Sequence, residues 1–304
     1  MMVNSMDHLV EAKPAVTLIV CTRDRVDKLK HCLTCIRRMS PPFEWELLIV
    51  DNGSTDDTAG VIERFIPTFP HACRTLYVSE PGNGAGRNAA ISLSRGDILA
   101  FTDDDCYVER DFLEDVEAVF RDHRVGYMSG RIYLYDASDY PLTINESARP
   151  VPIRAGRIPG GGLIQGANFA VRRAALNAAG CFDPDFGAGA RFTGEDWELA
   201  IRISAAGWSG GYFPKPTVWH HHGRKAHDFA RHFRSYGLGE GAVYAKGLLS
   251  AELRWRVLYQ WIKSAAGDLL KRRSLRHIVH VILGSIQYWR MRAGKRAGGL
   301  ENIR

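Results

Sequence analysis

The sequence lacks several features that would assign it to a special class of protein. No stretch reaches the roughly 18–20 uninterrupted apolar residues that a membrane-spanning helix needs. The N-terminus lacks a basic flank followed by an apolar core, so we expect no secretory signal there. There is no internal repeat and no low-complexity tract. With 45% hydrophobic and 24% charged residues among 304, the chain is expected to fold as an ordinary globular protein.

Cysteine is also sparse, with six residues scattered along the chain. Cys32 and Cys35 form a C-x-x-C sequence inside a helical pattern. No second pair at zinc-binding spacing accompanies them, so a structural zinc site is not indicated. We expect buried, reduced thiols in a cytoplasmic protein.

Charge is distributed unevenly along the chain. The net charge is +6, but residues 1–223 hold 23 Lys+Arg against 29 Asp+Glu, whereas residues 224–304 hold 17 against 5. The acidic part favours a metal or a cationic centre, and the basic part favours an anionic partner. Three amphipathic helical segments begin at about residue 226. We therefore predict a catalytic domain over 14–223 and a basic helical C-terminal extension over 224–304.

The first hundred residues alternate between short apolar runs and helical patterns. Four strands are predicted at 16–21, 45–51, 74–79 and 97–103. This alternation predicts an α/β fold, with a parallel sheet and helices on both faces. Ligands bind such sheets at the carboxyl ends of the strands. Three of the four strands end in charged residues, which points to one functional edge.

Three adjacent aspartates, Asp103, Asp104 and Asp105, follow the fourth strand. Adjacent carboxylates repel one another and stay ionised most easily beside a cation. Hard oxygen ligands suit Mg²⁺ or Mn²⁺, and Asp103 and Asp105 point to the same side of an extended chain. A solvated turn that caps the next helix is the alternative.

Two motifs near the other strand ends suit a nucleotide. Asp51 can accept hydrogen bonds from a base or a ribose hydroxyl, although a simple turn would also explain it. Gly82, Gly84 and Gly86 open the third helix without the full spacing of a dinucleotide fingerprint. Arg87 stands in the first turn of that helix, where it can reach a pyrophosphate. An ordinary surface helix start is the alternative.

Later motifs bring further acids and imidazoles. Glu195 and Asp196 begin a predicted helix, where capping explains them and a general base is the functional alternative. Histidines occupy positions 220–222, and because side chains alternate along a strand, at most two can face one metal ion. We expect one functional histidine in this run.

Taken in their order along the chain, these motifs resemble those of the inverting nucleotide-sugar glycosyltransferases of family 2, which have the GT-A fold. The matching segments are VTLIVCTRDR, LLIVDNGSTDDT, GNGAGRNAAI, GDILAFTDDDC, GANFAVRRAAL and FTGEDWELAIRISAAGW. They lie within residues 14–223. The resemblance implies a Rossmann-like, mostly parallel central sheet with flanking helices. It also implies transfer of a sugar from a nucleotide-diphosphate donor, with UDP favoured, to a hydroxyl acceptor such as a saccharide or a lipid-linked glycan.

The resemblance also implies roles for matching residues. The nucleotide sugar would be bound by Thr22, Arg23, Asp51, Arg87, Asp103 and Asp104. Mn²⁺ or Mg²⁺ would be held by Asp105, Asp103, His222 and His220. The catalytic base would be Asp196, with Glu195 beside it.

Two departures from polymerising members narrow the expected function. The Q-x-x-R-W motif of processive synthases is missing, because Gln287-Tyr288-Trp289-Arg290 has a different spacing. No transmembrane bundle follows the catalytic part. Both facts favour transfer of one sugar per encounter, in the synthesis of a surface polysaccharide, glycolipid or other glycoconjugate of the cell envelope.

The C-terminal extension leaves two interpretations open. The apolar segment 277–289 lies between basic flanks, which fits a helix at an anionic membrane surface. A helix packed on the domain, or a homodimer contact, is the alternative. The extension matches no nucleic-acid-binding module, so we expect no nucleic acid partner. We expect a cytoplasmic protein that can be peripheral on the inner face of the membrane.

Two other classes of function use similar residues. A metal-dependent nucleotidyltransferase or phosphohydrolase would use the aspartates but would leave Glu195 and Asp196 idle. A non-catalytic nucleotide-sugar binding protein would tolerate loss of Asp196.

Overall fold

The computed structural model describes residues 13–79, 82–270 and 275–301. Its strands are β1 (Val16–Thr22), β2 (Trp45–Asp51), β3 (Ala72–Tyr77), β4 (Ile98–Asp103), β5 (Cys106–Val108), β6 (Val125–Leu134), β7 (Val151–Ile153), β8 (Asn168–Arg172) and β9 (Ser209–His220). Its α-helices are α1 (Val26–Arg37), α2 (Thr58–Phe65), α3 (Asn83–Leu93), α4 (Phe112–Phe120), α5 (Arg173–Ala179), α6 (Glu195–Ala205), α7 (Phe229–Leu249), α8 (Arg254–Leu270) and α9 (Leu275–Glu301). Short 3₁₀ turns precede β3 and α7.

The first four strands form the parallel half of the sheet, in the order β3-β2-β1-β4. Nearly every residue of β1 and β2 is buried and most are apolar, because helices cover both faces of the sheet. In the register of these strands, Thr22 pairs with Asp51 and Cys21 with Asp103. The α/β class and the shared edge of strand ends are confirmed.

The rest of the sheet is mixed. Strand β8 pairs antiparallel with β4 and β6, β9 runs parallel to β6, and both β5 and β7 pair antiparallel with β9. The segment between β6 and β8 contains the short strand β7. Strand β8 begins at Asn168, after a turn over residues 160–163 in which the Leu163 amide donates to the Gly160 carbonyl.

The three C-terminal helices pack on one another and beside α6. They share a hydrophobic core with it, in which the Trp197 and Tyr244 rings lie 5.4 Å apart. The predicted boundary between 223 and 224 marks a change of sequence pattern, but the side chains on its two sides are packed together. Among the described residues, no helix combines the length and apolarity needed to cross a bilayer. The segment 1–12, residues 80–81 and the basic segment 271–274 lie outside the described part.

Helices α7 and α9 approach closely where glycines face each other's backbone. A Cβ on Gly241 would lie 2.8 Å from the Val281 carbonyl carbon and 2.9 Å from the Ser285 nitrogen. A Cβ on Gly284 would meet the backbone of Leu238 at 2.7 Å. Backbone cannot move aside as a flexible side chain can, so glycine is required for this packing.

Gly241→Ala should therefore separate the two helices and lower the free energy of unfolding by about 1–3 kcal/mol. Gly267→Ala is the matched control, since nothing lies within 4 Å of a Cβ on this residue of α8. Helix propensity predicts that the control gains up to about 1 kcal/mol. Urea denaturation of the two variants measures the difference. Equal stabilities would contradict the close helix packing.

Candidate active site

Asp104 lies buried beneath the edge where the parallel strands end. Its carboxylate accepts hydrogen bonds from the Thr22 hydroxyl at 2.7 Å and from the Arg25 guanidinium at 3.1 Å. Burial raises the pKa of Asp104 to about 6, although the Arg25 charge and the Thr22 hydrogen bond oppose that rise. Both oxygens are therefore engaged inside the protein, and Asp104 ties the end of β1 to the end of β4.

Asp105 is surrounded by cationic or protonatable groups. The Arg25 guanidinium donates to it at 2.8 Å, His220 Nε2 lies 3.4 Å away, and the Lys28 ammonium lies 4.0 Å away. Burial opposes ionisation, but the hydrogen bond and charge of His220 and the charges of Arg25 and Lys28 outweigh it. The pKa of Asp105 is held well below its usual range. Asp105 thus stays ionised despite its burial.

Four potential ligand groups converge beside Asp105. One atom from each of Asp103, Asp105, Cys106 and His220 lies within 4.8 Å of the others. His220 Nδ1 is buried without a hydrogen-bond partner among the described residues. Burial raises the pKa of Cys106 well above its usual value, so this thiol stays protonated and is a poor ligand. Two carboxylates and an imidazole remain, and this donor set suits Mn²⁺ or Mg²⁺.

The three histidines have different surroundings, as the alternation along β9 predicts. The ring of His221 points away from His220, and its Nδ1 lies 2.9 Å from the Tyr107 hydroxyl. His222 lies on the same side as His220, with ring centroids 5.0 Å apart, but its Nδ1 accepts from the Arg224 amide. Burial and the neighbouring charges of His220 and Arg224 lower the pKa of His222 to about 4. His222 therefore adjoins the four-group cluster without belonging to it.

Arg87 is fully buried and joins the two acidic motifs. Its guanidinium donates to Glu195 at 3.2 Å, to Asp103 at 3.1 Å and to the Gly166 carbonyl at 3.2 Å. A buried guanidinium needs such partners because desolvating an unpaired charge is costly. The residue expected at a pyrophosphate thus lies beneath the site, where it links α3, the end of β4 and the start of α6.

Asp196 is half-buried in the first turn of α6. One carboxylate oxygen accepts the Trp197 amide at 2.7 Å. Burial, reinforced by the neighbouring Glu195 charge, raises the pKa of Asp196 to about 7. A carboxylate with this pKa can accept a proton near neutral pH, which is the requirement for a general base.

Two other predicted residues lie at the ends of β1 and β2. Asp51 is buried and accepts the Ser54 amide at 2.8 Å, which closes the turn after β2. Arg23 has a side chain that is 54% exposed and lies 3.6 Å from the Asp24 carboxylate. Sequence reasoning missed Arg25, which makes the contacts to Asp104 and Asp105. Its signal was the second arginine of the T-R-D-R sequence.

Residues 17–180, more than half of the chain, match the sequence model of the family described as Glycosyl transferase family 2. The chain belongs to this family. Membership favours sugar transfer over the nucleotidyltransferase, phosphohydrolase and non-catalytic binding classes.

Curated relatives match over shorter segments. Glycosyltransferase AglE of Haloferax volcanii is 31% identical over 102 residues, which are 33% of this chain and 34% of that protein. The putative glycosyltransferase EpsH of Bacillus subtilis is 29% identical over 103 residues, 34% of this chain and 29% of that one. The matches thus span about a third or less of these relatives.

Solved structures share the fold over most of the chain. The mannosyltransferase PcManGT of Pyrobaculum calidifontis, in complex with GDP-Man and Mn²⁺, superposes with a TM-score of 0.63 at 19% identity. The superposition covers 92% of this chain and 88% of the mannosyltransferase chain. Residues 1–349 of TarS from Staphylococcus aureus, in complex with UDP-GlcNAc, give 0.61 at 16% identity and cover 88% and 79%. At these identities the likeness shows the GT-A fold, as expected.

Arg87→Met should be strongly destabilising, because it leaves Glu195 and Asp103 facing each other without their shared cation. We expect a loss of about 3–5 kcal/mol in the free energy of unfolding. Arg64→Met is the matched control, since its ion pair with Asp57 is exposed and worth at most about 1 kcal/mol. Chemical denaturation measures both. A loss at Arg87 no larger than at Arg64 would contradict the linking role.

Proposed function

We propose that the protein is a metal-dependent, inverting glycosyltransferase that moves one sugar from a nucleotide-diphosphate donor to a hydroxyl acceptor. The observation that carries this proposal is the buried link between the two acidic motifs. Arg87 contacts Asp103 of the metal-ligand cluster and Glu195, the neighbour of Asp196. A donor-binding group and a base are thereby held in a fixed relation, which transfer between two bound substrates requires.

The donor side uses the end of β4. Asp103, Asp105 and His220 would hold Mn²⁺ or Mg²⁺, which when bound supplies positive charge against the diphosphate leaving group. Thr22, Asp51 and Asp104 would shape the nucleotide end of the site, and Arg23, being exposed, is free to contact the nucleotide. His222, beside His220, would lie near the metal ion or the diphosphate.

The acceptor side uses the start of α6. Asp196 would take the proton of the acceptor hydroxyl as its oxygen attacks the anomeric carbon. The attack comes from the face opposite the leaving nucleotide, so the anomeric configuration inverts. Glu195 is engaged by Arg87 and would orient Asp196 and raise its basicity through its negative charge.

The nucleotide is proposed to be UDP, as the family resemblance favours. The structural neighbours carry either GDP-Man or UDP-GlcNAc, so both bases fit this fold. Screening UDP-, GDP- and dTDP-sugars by product mass identifies the donor, and NMR of the product shows whether the anomeric centre inverts. The acceptor is proposed to be a saccharide or a lipid-linked glycan of the cell envelope.

Asp196→Asn should abolish proton transfer while leaving donor binding intact. We expect kcat to fall by about 10²–10⁴-fold with little change in the donor's Kd. Because the unprotonated form is the base, kcat of the wild type should rise as pH increases through about 7 and then level off. The variant should lose this rise. Asp57→Asn, at an exposed ion pair, is the control and should keep both rate and profile. Wild-type activity in Asp196→Asn would refute the assignment.

Asp105→Asn should remove one carboxylate ligand of the metal cluster. We expect calorimetry of UDP to show tighter binding with Mn²⁺ in the wild type and no effect of Mn²⁺ in the variant. His123→Gln is the control, because that side chain is exposed and belongs to no candidate metal group among the described residues. UDP binding that is the same before and after chelation in the wild type would exclude the metal role.

A further inference from the structure

The outer face of α8 carries a continuous apolar stripe. Trp255, Tyr259, Ile262 and Leu269 recur at the spacing of one helix face, and their exposed fractions run from 57% to 74%. The opposite face buries Val257 in the core shared with α6 and α7, and Leu253, directly before the helix, lies in the same core. The stripe is therefore surface that remains after the helix has packed on the protein.

Helix α9 has the same two-faced construction. Its inner face buries Val281, Tyr288 and Met291 in the shared core. Its outer face exposes a second apolar stripe, whose members are 36% to 68% exposed: Leu275, Val279, Ile282, Leu283, Ile286 and Trp289. Exposed apolar side chains in such number indicate an interaction surface.

The exposed charges of these helices are cations. The side chains of Arg254, Arg256, Lys263, Arg290 and Arg292 are exposed, and none has an ion-pair partner among the described residues. Within 254–270 and 275–295 the one acidic residue is Asp268, which is buried. The outer faces of α8 and α9 therefore combine apolar stripes, two tryptophans and positive charge.

We propose that the outer faces of α8 and α9 dock on an anionic lipid bilayer. Apolar stripes enter the acyl boundary, tryptophan and tyrosine side chains lie at the headgroup level, and arginine and lysine contact lipid phosphates. A second copy of the chain is disfavoured as the occupant. A two-fold contact would set the same cations against each other, with no exposed acid among the described side chains of α8 and α9 to pair with them.

Vesicle co-sedimentation of the full chain tests this docking. The probes are vesicles of phosphatidylcholine alone and of phosphatidylcholine mixed with phosphatidylglycerol. We expect sedimentation with the anionic vesicles only, weaker binding at high salt, and a blue shift of tryptophan fluorescence. No sedimentation with anionic vesicles, or equal sedimentation with both kinds, would overturn the proposal.

Three variants separate docking from folding. Trp255→Ser with Ile262→Ser removes exposed apolar groups and should abolish sedimentation, whereas Tyr77→Ser, an equally exposed aromatic on β3, should not. Arg256→Gln should weaken binding about fivefold, the share of one cation at an anionic surface. Unchanged sedimentation of the double variant would overturn the assignment of this face.

Light scattering without lipid supplies a further outcome. A dimer that the double variant converts to a monomer, in a protein that does not sediment with vesicles, would assign the face to a second copy. Vesicle binding is measured without donor, and UDP calorimetry is measured without lipid. Failure of the docking proposal and failure of the proposed function are therefore distinguishable.

Discussion

The structure of the sheet edge depends on cations that offset the negative charge of the carboxylates brought together by the parallel strands and α6. Asp103, Asp104 and Asp105 are adjacent in the chain, so their mutual repulsion has to be met by cations. Two arginines do this by bridging. Arg25 contacts Asp104 and Asp105, and Arg87 contacts Asp103 and Glu195. Each cation touches two acids, which fixes the acids relative to one another as well as neutralising them.

The same arrangement gives neighbouring carboxylates different properties. Burial outweighs the neighbouring charges at Asp104 and raises its pKa to about 6. Asp105 lies beside His220, Arg25 and Lys28, and these groups lower its pKa. Asp196 follows the first pattern, with burial and Glu195 raising its pKa to about 7. Environments that give similar carboxyl groups different pKa values allow them to take the separate roles of acid, base and ligand. One edge can thus hold an anionic ligand group and, on the next motif, a proton acceptor.

Much of this edge could be predicted from the sequence, because apolar strands running into acids fix where those acids lie. The arginines could not be assigned in the same way. The alternation of side chains holds only along extended backbone, and Asp24 has a φ of +51°. The chain turns there, and Arg25 instead of Arg23 meets the acids. The orientation of the Arg87 side chain could not be predicted either, because its partners Gly166 and Glu195 lie far along the chain.

The C-terminal extension shows why a change in composition is a poor guide to function. Its charge separates it from the rest of the sequence, yet α7 packs against the turn that precedes Asp196. The Thr193 hydroxyl donates to the Ser235 carbonyl at 3.2 Å, and a Cβ on Gly239 would meet the Thr193 carbonyl carbon at 3.0 Å. The position of the proposed base is therefore set partly by α7. Helix α7 in turn packs against both α8 and α9. A shift of α8 or α9 would therefore be transmitted through α7 to the helix that carries the proposed base.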